Sequence, residues 1–305
     1  LIARLRSILD NPSLRWQVIG DEFRALRDKY NDERRTEVIY DYAAFRLEDM
    51  IAEEDVVITI SHQGYIKRTP VSTYRRQGRG GKGVAGSATR EDDFVEHMFV
   101  ASTHHYILFF TDKGRCYWLK VFEVPEGGRT ARGRAIINLV SKQKDENIAA
   151  FLTVKEFTDN QYIIMVTSKG TVKKTVLSAY GNPRSTGIIA INLGDDDNLI
   201  DAKITDGSSD FLIASRQGQA IRFDETNVRD MGRNATGVRG ISLAKDDVVI
   251  GMVVGRPNGN VLVVSEHGYG KRSEVSSYRH TKRGGKGVIT MNVTAKTGEV
   301  ISIKE

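Results

Sequence analysis

Short runs dominated by apolar residues, each closed by a glycine and followed by a strand-like stretch carrying Lys or Arg, recur five times along the chain. They read Val56-Val57-Ile58-Thr59-Ile60 to Gly64, Tyr106-Ile107-Leu108-Phe109-Phe110 to Gly114, Tyr162-Ile163-Ile164-Met165-Val166 to Gly170, Phe211-Leu212-Ile213-Ala214 to Gly218 and Val261-Leu262-Val263-Val264 to Gly268. Successive glycines are 50, 56, 48 and 50 positions apart, the period of a repeat architecture. Pairs such as Lys113-Gly114 and Lys169-Gly170, between β-rich flanks, predict two-residue hairpin turns in which the glycine takes a positive φ. A second glycine follows: Gly83, Gly133, Gly237 and Gly287 stand 19 residues after their hairpin glycine, and Gly187 stands 17 after its own. Val84, Ile188, Val238 and Val288 come next and predict a strand that starts there and enters the next core layer.

One such unit is too short to bury both faces of its own sheet, whereas stacked neighbours bury them mutually. The pattern predicts an all-β, propeller-like disc with blades near 50–90, 100–140, 155–195, 205–245 and 255–292. Residues 293–305, with Val300, Ile301 and Ile303, are expected to open a truncated sixth blade. Residues 1–39 differ in kind. Leu14, Val18, Phe23, Leu26 and Tyr30 fall near helical spacing after the break and helix start Asp10-Asn11-Pro12-Ser13, and Leu1 to Leu9 read as the end of an earlier helix. The expected division is a helical segment and linker over 1–39 and a repeat domain over 40–305.

Composition narrows the function classes. The chain has 305 residues, 40% hydrophobic, and a net charge of +6, too modest for charge to matter except through clustering. A single cysteine, Cys116, excludes an internal disulfide and fits a reducing compartment. No apolar run approaches the roughly 18 residues of a membrane span, and no signal-peptide pattern opens the chain. It starts at Leu1 without a methionine and reads as a piece of a longer polypeptide.

The basic residues cluster. From Val56 to Val84, 29 residues carry Lys67, Arg68, Arg75, Arg76, Arg79 and Lys82 and no acid, and the segment Gln77-Gly78-Arg79-Gly80-Gly81-Lys82-Gly83 falls within it. Cations supply charge, and glycines let backbone N–H groups reach phosphate oxygens. The repeats act as an internal control. Equivalent segments in repeats 2, 3 and 4 read Gly128-Arg129-Thr130-Ala131-Arg132-Gly133, Pro183-Arg184-Ser185-Thr186-Gly187 and Arg233-Asn234-Ala235-Thr236-Gly237, so only the closing glycine is shared and it is read as structural. Repeat 5 has Lys282-Arg283-Gly284-Gly285-Lys286-Gly287, and both glycine-rich loops follow a tyrosine ten residues past the hairpin glycine, Tyr74 and Tyr278. The extra glycines and cations of these two loops are an addition to the scaffold and point to a polyanion. Lys67-Arg68, Lys173-Lys174, Arg222 and Lys271-Arg272 recur just after the hairpin glycine and predict a basic belt around the rim, serving both DNA contact and protection of strand edges.

On these residues the chain resembles the C-terminal domain of bacterial DNA gyrase A. Gln77 to Gly83 is similar to that family's box, Gln-Arg-Arg-Gly-Gly-Lys-Gly, differing at Gly78, where Arg75 and Arg76 could substitute. Ser61-His62-Gln63-Gly64-Tyr65, Lys169 to Thr175, Thr236 to Ile241 and Gly268 to Arg272 also look alike, so the resemblance covers nearly the whole chain, and Arg34-Arg35-Thr36-Glu37 resembles the link from the breakage-reunion region. The resemblance implies a six-bladed β-pinwheel, with strands exchanged between blades, that wraps double-stranded DNA without sequence readout. It also implies partnership with the rest of gyrase A and with gyrase B in the bacterial cytoplasm. ATP and Mg2+ would be used elsewhere in that assembly, with no cofactor and no catalysis in this chain. Alternatives are the related domain of topoisomerase IV, whose box is degraded, and a propeller serving as a protein-binding platform, which lacks Trp-Asp or Gly-His signatures here. A nucleotide site is not predicted, since Gly81-Lys82 precedes Gly83 rather than Ser or Thr. His104-His105 has no partners at metal-ligand spacing.

Overall fold

The computed structural model describes residues 1–32, 35–36, 47–74, 93–143, 145–256 and 258–305. The chain divides into two compact units, Leu1–Leu47 and Glu48–Glu305. The boundary expected at 39/40 lies outside the described residues.

The first unit contains helices Ile2–Asp10 and Pro12–Tyr30. Asn11 separates them by capping the second: its side-chain oxygen accepts from the Ser13 amide at 3.0 Å, and Pro12 takes the first helical position, where no N–H is needed. No residue of either helix is buried within the described residues.

The second unit is five antiparallel blades. Four have four strands and share one strand order. In blade 1 the hairpin Asp55–Ser61 and Tyr65–Pro70 is flanked by Val95–Ser102 on one side and Arg134–Ala135 on the other. Blade 2 uses Tyr106–Thr111, Arg115–Lys120, Ile148–Val154 and Ile188–Ile189. Blade 3 uses Tyr162–Thr167, Thr171–Val176, Leu199–Thr205 and Val238–Arg239. Blade 4 uses Asp210–Ser215, Gln219–Asp224, Val249–Gly255 and Val288–Ile289. Blade 5 pairs Asn260–Ser265 with Gly270–Glu274 and Val300–Lys304.

Three expectations change. Each blade extends past its expected end, because a long third strand, such as Ile148–Val154, returns to pair with the first strand of its own hairpin. The segment assigned to a sixth blade is the same element of blade 5: Val300–Lys304 pairs with Leu262 to Ser265. The short strands after Gly133, Gly187, Gly237 and Gly287 do not enter the next layer but run back to the preceding blade, as when Val288 and Ile289 of repeat 5 pair with Ala220 and Gln219 of blade 4. Exchange of strands between neighbours is thus built into every joint from 1/2 to 4/5.

The hairpins are also longer than expected, with three residues between strands in blades 1 to 4. In blade 2 the Gly114 amide donates to the Thr111 carbonyl at 2.9 Å while Gly114 sits at φ +75°, so the glycine follows a turn rather than forming half of it. The Thr111 hydroxyl then accepts the Arg115 amide at 3.2 Å, and Ser61, Thr167 and Ser215 do the same in their blades.

Strand alternation sends one set of apolar side chains to each neighbour, so the core is four clusters at the four blade joints. Ile58, Leu108, Ile164 and Leu212 point to the following blade and are 0% exposed, whereas the equivalent Leu262 of blade 5 is 43% exposed. Third strands of blades 2 to 5 touch their neighbours in turn, so the two-residue strands and their loops form the outer edge.

Candidate nucleic-acid interface

The strand cations are not a solvent-facing belt. Lys67 is 1% exposed, and its ammonium donates to the carbonyls of Gly128 at 3.1 Å and Arg129 at 2.6 Å. Lys173 is fully buried and donates to the carbonyls of Ala190 and Arg233. Burial lowers the pKa of Lys67, and burial followed by the nearby Arg233 guanidinium brings Lys173 down to about 7. Lys174 is buried against Asp230 at 2.9 Å and lies over the Tyr162 ring. Arg68 donates to the Val124 carbonyl at 2.8 Å and pairs with Glu126 at 3.2 Å. Arg222 grips Asp210 through two nitrogens and donates to the Val275 carbonyl at 3.0 Å.

The reason is topological. A residue four positions after the hairpin glycine meets the incoming loop of the next repeat, and Arg68, Lys174 and Arg222 form bridges with Glu126, Asp230 and His280, which are mutually equivalent. Trp118 holds the same place in blade 2 and donates from its indole to the Tyr180 carbonyl at 2.9 Å. These side chains latch blade to blade. Asp210, Asp224 and His280 come within 4.8 Å of one another, but Arg222 already occupies the Asp210 carboxylate, so the group is part of a latch. His104 bonds the Ile51 carbonyl at 2.8 Å. In blade 5, where no further loop arrives among the described residues, Lys271 and Arg272 are exposed.

The remaining cations lie on the edge loops. Gln77, Gly78, Arg79, Gly80, Gly81, Lys82 and Gly83, with Arg75 and Arg76, lie outside the described residues, whereas the second glycine-rich loop lies within them. There Lys282, Arg283 and Lys286 are exposed. Arg283 donates to the carbonyls of Asn227 at 2.9 Å and Arg239 at 3.1 Å. The Gly284 amide, equivalent to that of Gly80, is turned inward to the Gly240 carbonyl at 2.6 Å. The closing glycine is structural: Gly287 has φ +78°, and a Cβ there would run into the Ala220 carbonyl.

Sequence reasoning named Arg79 and Arg283 but missed that Arg129 and Arg233 complete a column with them on these loops. Arg129, Arg233 and Arg283 all stand four residues before a closing glycine, as Arg79 does, and lining up the loops on that glycine reveals them. Arg233 donates to the Ile189 carbonyl at 3.3 Å just as Arg283 donates to that of Arg239. Asn192 and Ser242 continue the series, with amides bonded to the carbonyls of Ala235 and Gly285. The loops of repeats 3, 4 and 5 are therefore joined edge to edge by main-chain bonds. Exposed Arg184, Arg229, Arg239, Arg279, Lys282 and Lys286 lie along this row.

Five segments of the chain, 55–102, 105–154, 161–206, 209–255 and 259–304, match the DNA gyrase C-terminal domain, beta-propeller, family, one per blade. The chain belongs to the DNA gyrase C-terminal domain family. DNA gyrase A of Clostridium acetobutylicum is 49% identical over 303 residues, covering 99% of this chain and 36% of that protein. DNA gyrase A of Halalkalibacterium halodurans is 48% identical over 234 residues, 77% of this chain and 28% of that protein. The chain thus spans about a third or less of the length of the curated relatives it matches. Among solved structures, the C-terminal domain of DNA topoisomerase IV superposes with TM-score 0.70 at 29% identity, covering 84% of this chain and 78% of that one. The DNA gyrase A C-terminal domain superposes with TM-score 0.67 at 26% identity, covering 82% of each. Since the sequence relatives are gyrase A proteins, the topoisomerase IV alternative rests on shared fold and is the weaker of the two. No helix among the described residues is long and apolar enough to cross a membrane.

Proposed function

We propose that this gyrase C-terminal domain binds double-stranded DNA without reading its sequence and bends it along the row of edge loops. As part of gyrase A, acting with gyrase B in the bacterial cytoplasm, it would support ATP-dependent negative supercoiling. ATP and Mg2+ act elsewhere in that assembly, and this chain contributes no catalytic group. The observation that carries the reading is the joined row itself: equivalent loops bonded edge to edge, with Arg and Lys exposed along it. DNA is stiff over about 150 base pairs, so bending it tightly costs several kcal/mol that only many distributed phosphate contacts can offset. A repeated edge supplies that distribution, and Arg79 and Lys82 would add the same chemistry from the first glycine-rich loop. Loops fixed by main-chain bonds also limit the entropy lost on binding.

The test is ligation of DNA into circles in the presence of the domain, with topoisomers resolved on a gel, alongside a salt titration of affinity. Wrapping shifts the topoisomer distribution, and affinity falls steeply with salt. A protein-interaction platform would leave the topoisomers unchanged and show no steep salt dependence.

A further inference from the structure

Lys67 and Lys173 stand at one place in repeats 1 and 3, three residues past the hairpin glycine, and both are sealed from solvent. Folding alone does not require a lysine there, because the same place holds Tyr117 in blade 2 and Ile221 in blade 4, both buried. What the lysines have in common is their acceptors. Lys67 bonds the Arg129 carbonyl and Lys173 bonds the Arg233 carbonyl, and these two arginines are themselves equivalent. Each ammonium therefore holds the main chain of the arginine that opens the next repeat's edge loop. Lys67 adds the Gly128 carbonyl, and the neighbouring Thr69 hydroxyl holds that of Gly127 at 2.8 Å. Lys173 adds the Ala190 carbonyl, two residues before Asn192, which ties the same loop.

We propose that Lys67 and Lys173 are positioning residues of the DNA-binding edge, buried ammonium struts that fix Arg129 and Arg233 where they meet phosphate. This rests on the DNA-binding reading above. The Lys173 charge also lies beneath the loop it supports. Around it are the Arg233 guanidinium and the Tyr180 hydroxyl, which donates to the same Ala190 carbonyl at 3.4 Å, and the buried Cys116 thiol interacts with Tyr180 and Arg233 in turn. Burial raises the pKa of both Tyr180 and Cys116, leaving them neutral, so Arg233 is the charge that opposes protonation of Lys173. Phosphate over Arg233 offsets that opposition, and DNA binding near neutral pH takes up a proton at Lys173.

The experiment is a double-mutant cycle in the full chain, read by calorimetric titration with a double-stranded DNA fragment in two buffers of different protonation enthalpy. Arg233→Ala and Lys173→Met should each weaken binding about five- to tenfold, and the double variant should be no weaker than Arg233→Ala within about twofold. Lys173→Met should also abolish proton uptake. Unchanged affinity for Lys173→Met, or additive losses in the double variant, overturns the proposal. If Lys173→Met does not fold, the Lys67→Met and Arg129→Ala cycle decides by the same affinity criteria. Should Arg233→Ala and Arg129→Ala both bind like the parent, the edge reading and this proposal fall together; should only the lysine variants bind like it, the strut alone falls.

Discussion

The joints between blades 3 and 4 and between blades 4 and 5 are built on one plan and place their charge on opposite sides of the loop. At the first, Lys173 lies buried beneath Arg233-Asn234-Ala235-Thr236-Gly237 and bonds its main chain. At the second, Ile221 lies beneath Arg283-Gly284-Gly285-Lys286-Gly287, which is held by the Gly284 amide on Gly240 and by Ser242, whose hydroxyl bonds the Gly284 carbonyl at 2.7 Å. Lys282 and Lys286 then stand on the outside. A count of cations per repeat thus says little about polyanion binding. What matters is whether the lysine is spent on the scaffold or left facing solvent.

The comparison breaks most severely at the glycine both joints share. Gly287→Ala forces a side chain into a left-handed backbone and against the Ala220 carbonyl, and should cost about 2–4 kcal/mol in thermal or urea denaturation. Arg222→Met removes the guanidinium that Asp210 and the Val275 carbonyl share, and should cost about 2–3 kcal/mol in the same denaturation measurement. The buried Lys173 gives a pH signature. Its folded-state pKa of about 7 lies below the unfolded value of 10.5, so the unfolded chain binds more protons between those limits. Stability should therefore rise with pH across that window, by at most about 1.4 kcal/mol per unit from this group, and Lys173→Met should flatten the slope. Smallest in stability is Lys282→Ala with Lys286→Ala, expected within about 0.5 kcal/mol of the parent while the salt dependence of DNA affinity loses roughly two phosphate contacts. Equal loss of stability and affinity in that variant would contradict an exposed role for this loop.

Hairpins and their period were legible because Gly64, Gly114, Gly170, Gly218 and Gly268 mark a backbone requirement that few other residues meet. The third strands were not, since a stretch such as Leu199-Ile200-Asp201-Ala202-Lys203-Ile204-Thr205 mixes polar and apolar positions without clean alternation. Two-residue strands such as Ile188–Ile189 are too short to carry any period. The strand cations misled for a physical reason. Lysine in a strand reads as solvent-facing, and the cover over Lys67 comes from Gly128 and Arg129, some sixty residues away, which no local pattern announces. The arginine column of the edge was present in the sequence, but it becomes visible only when the loops are aligned on their closing glycine.

Because every two-residue strand is donated backwards, the order of synthesis has a direction written into it. As the polypeptide leaves the ribosome, the sheet of blade 1 stays one strand short until Arg134–Ala135 emerges, well after its hairpin is out, and blades 2 to 4 wait in the same way for their successors. Maturation therefore trails translation by a nearly constant interval of about 62 to 68 residues past each hairpin, and a stall before the closing glycine of repeats 2 to 5 leaves the blade before it with an open seam.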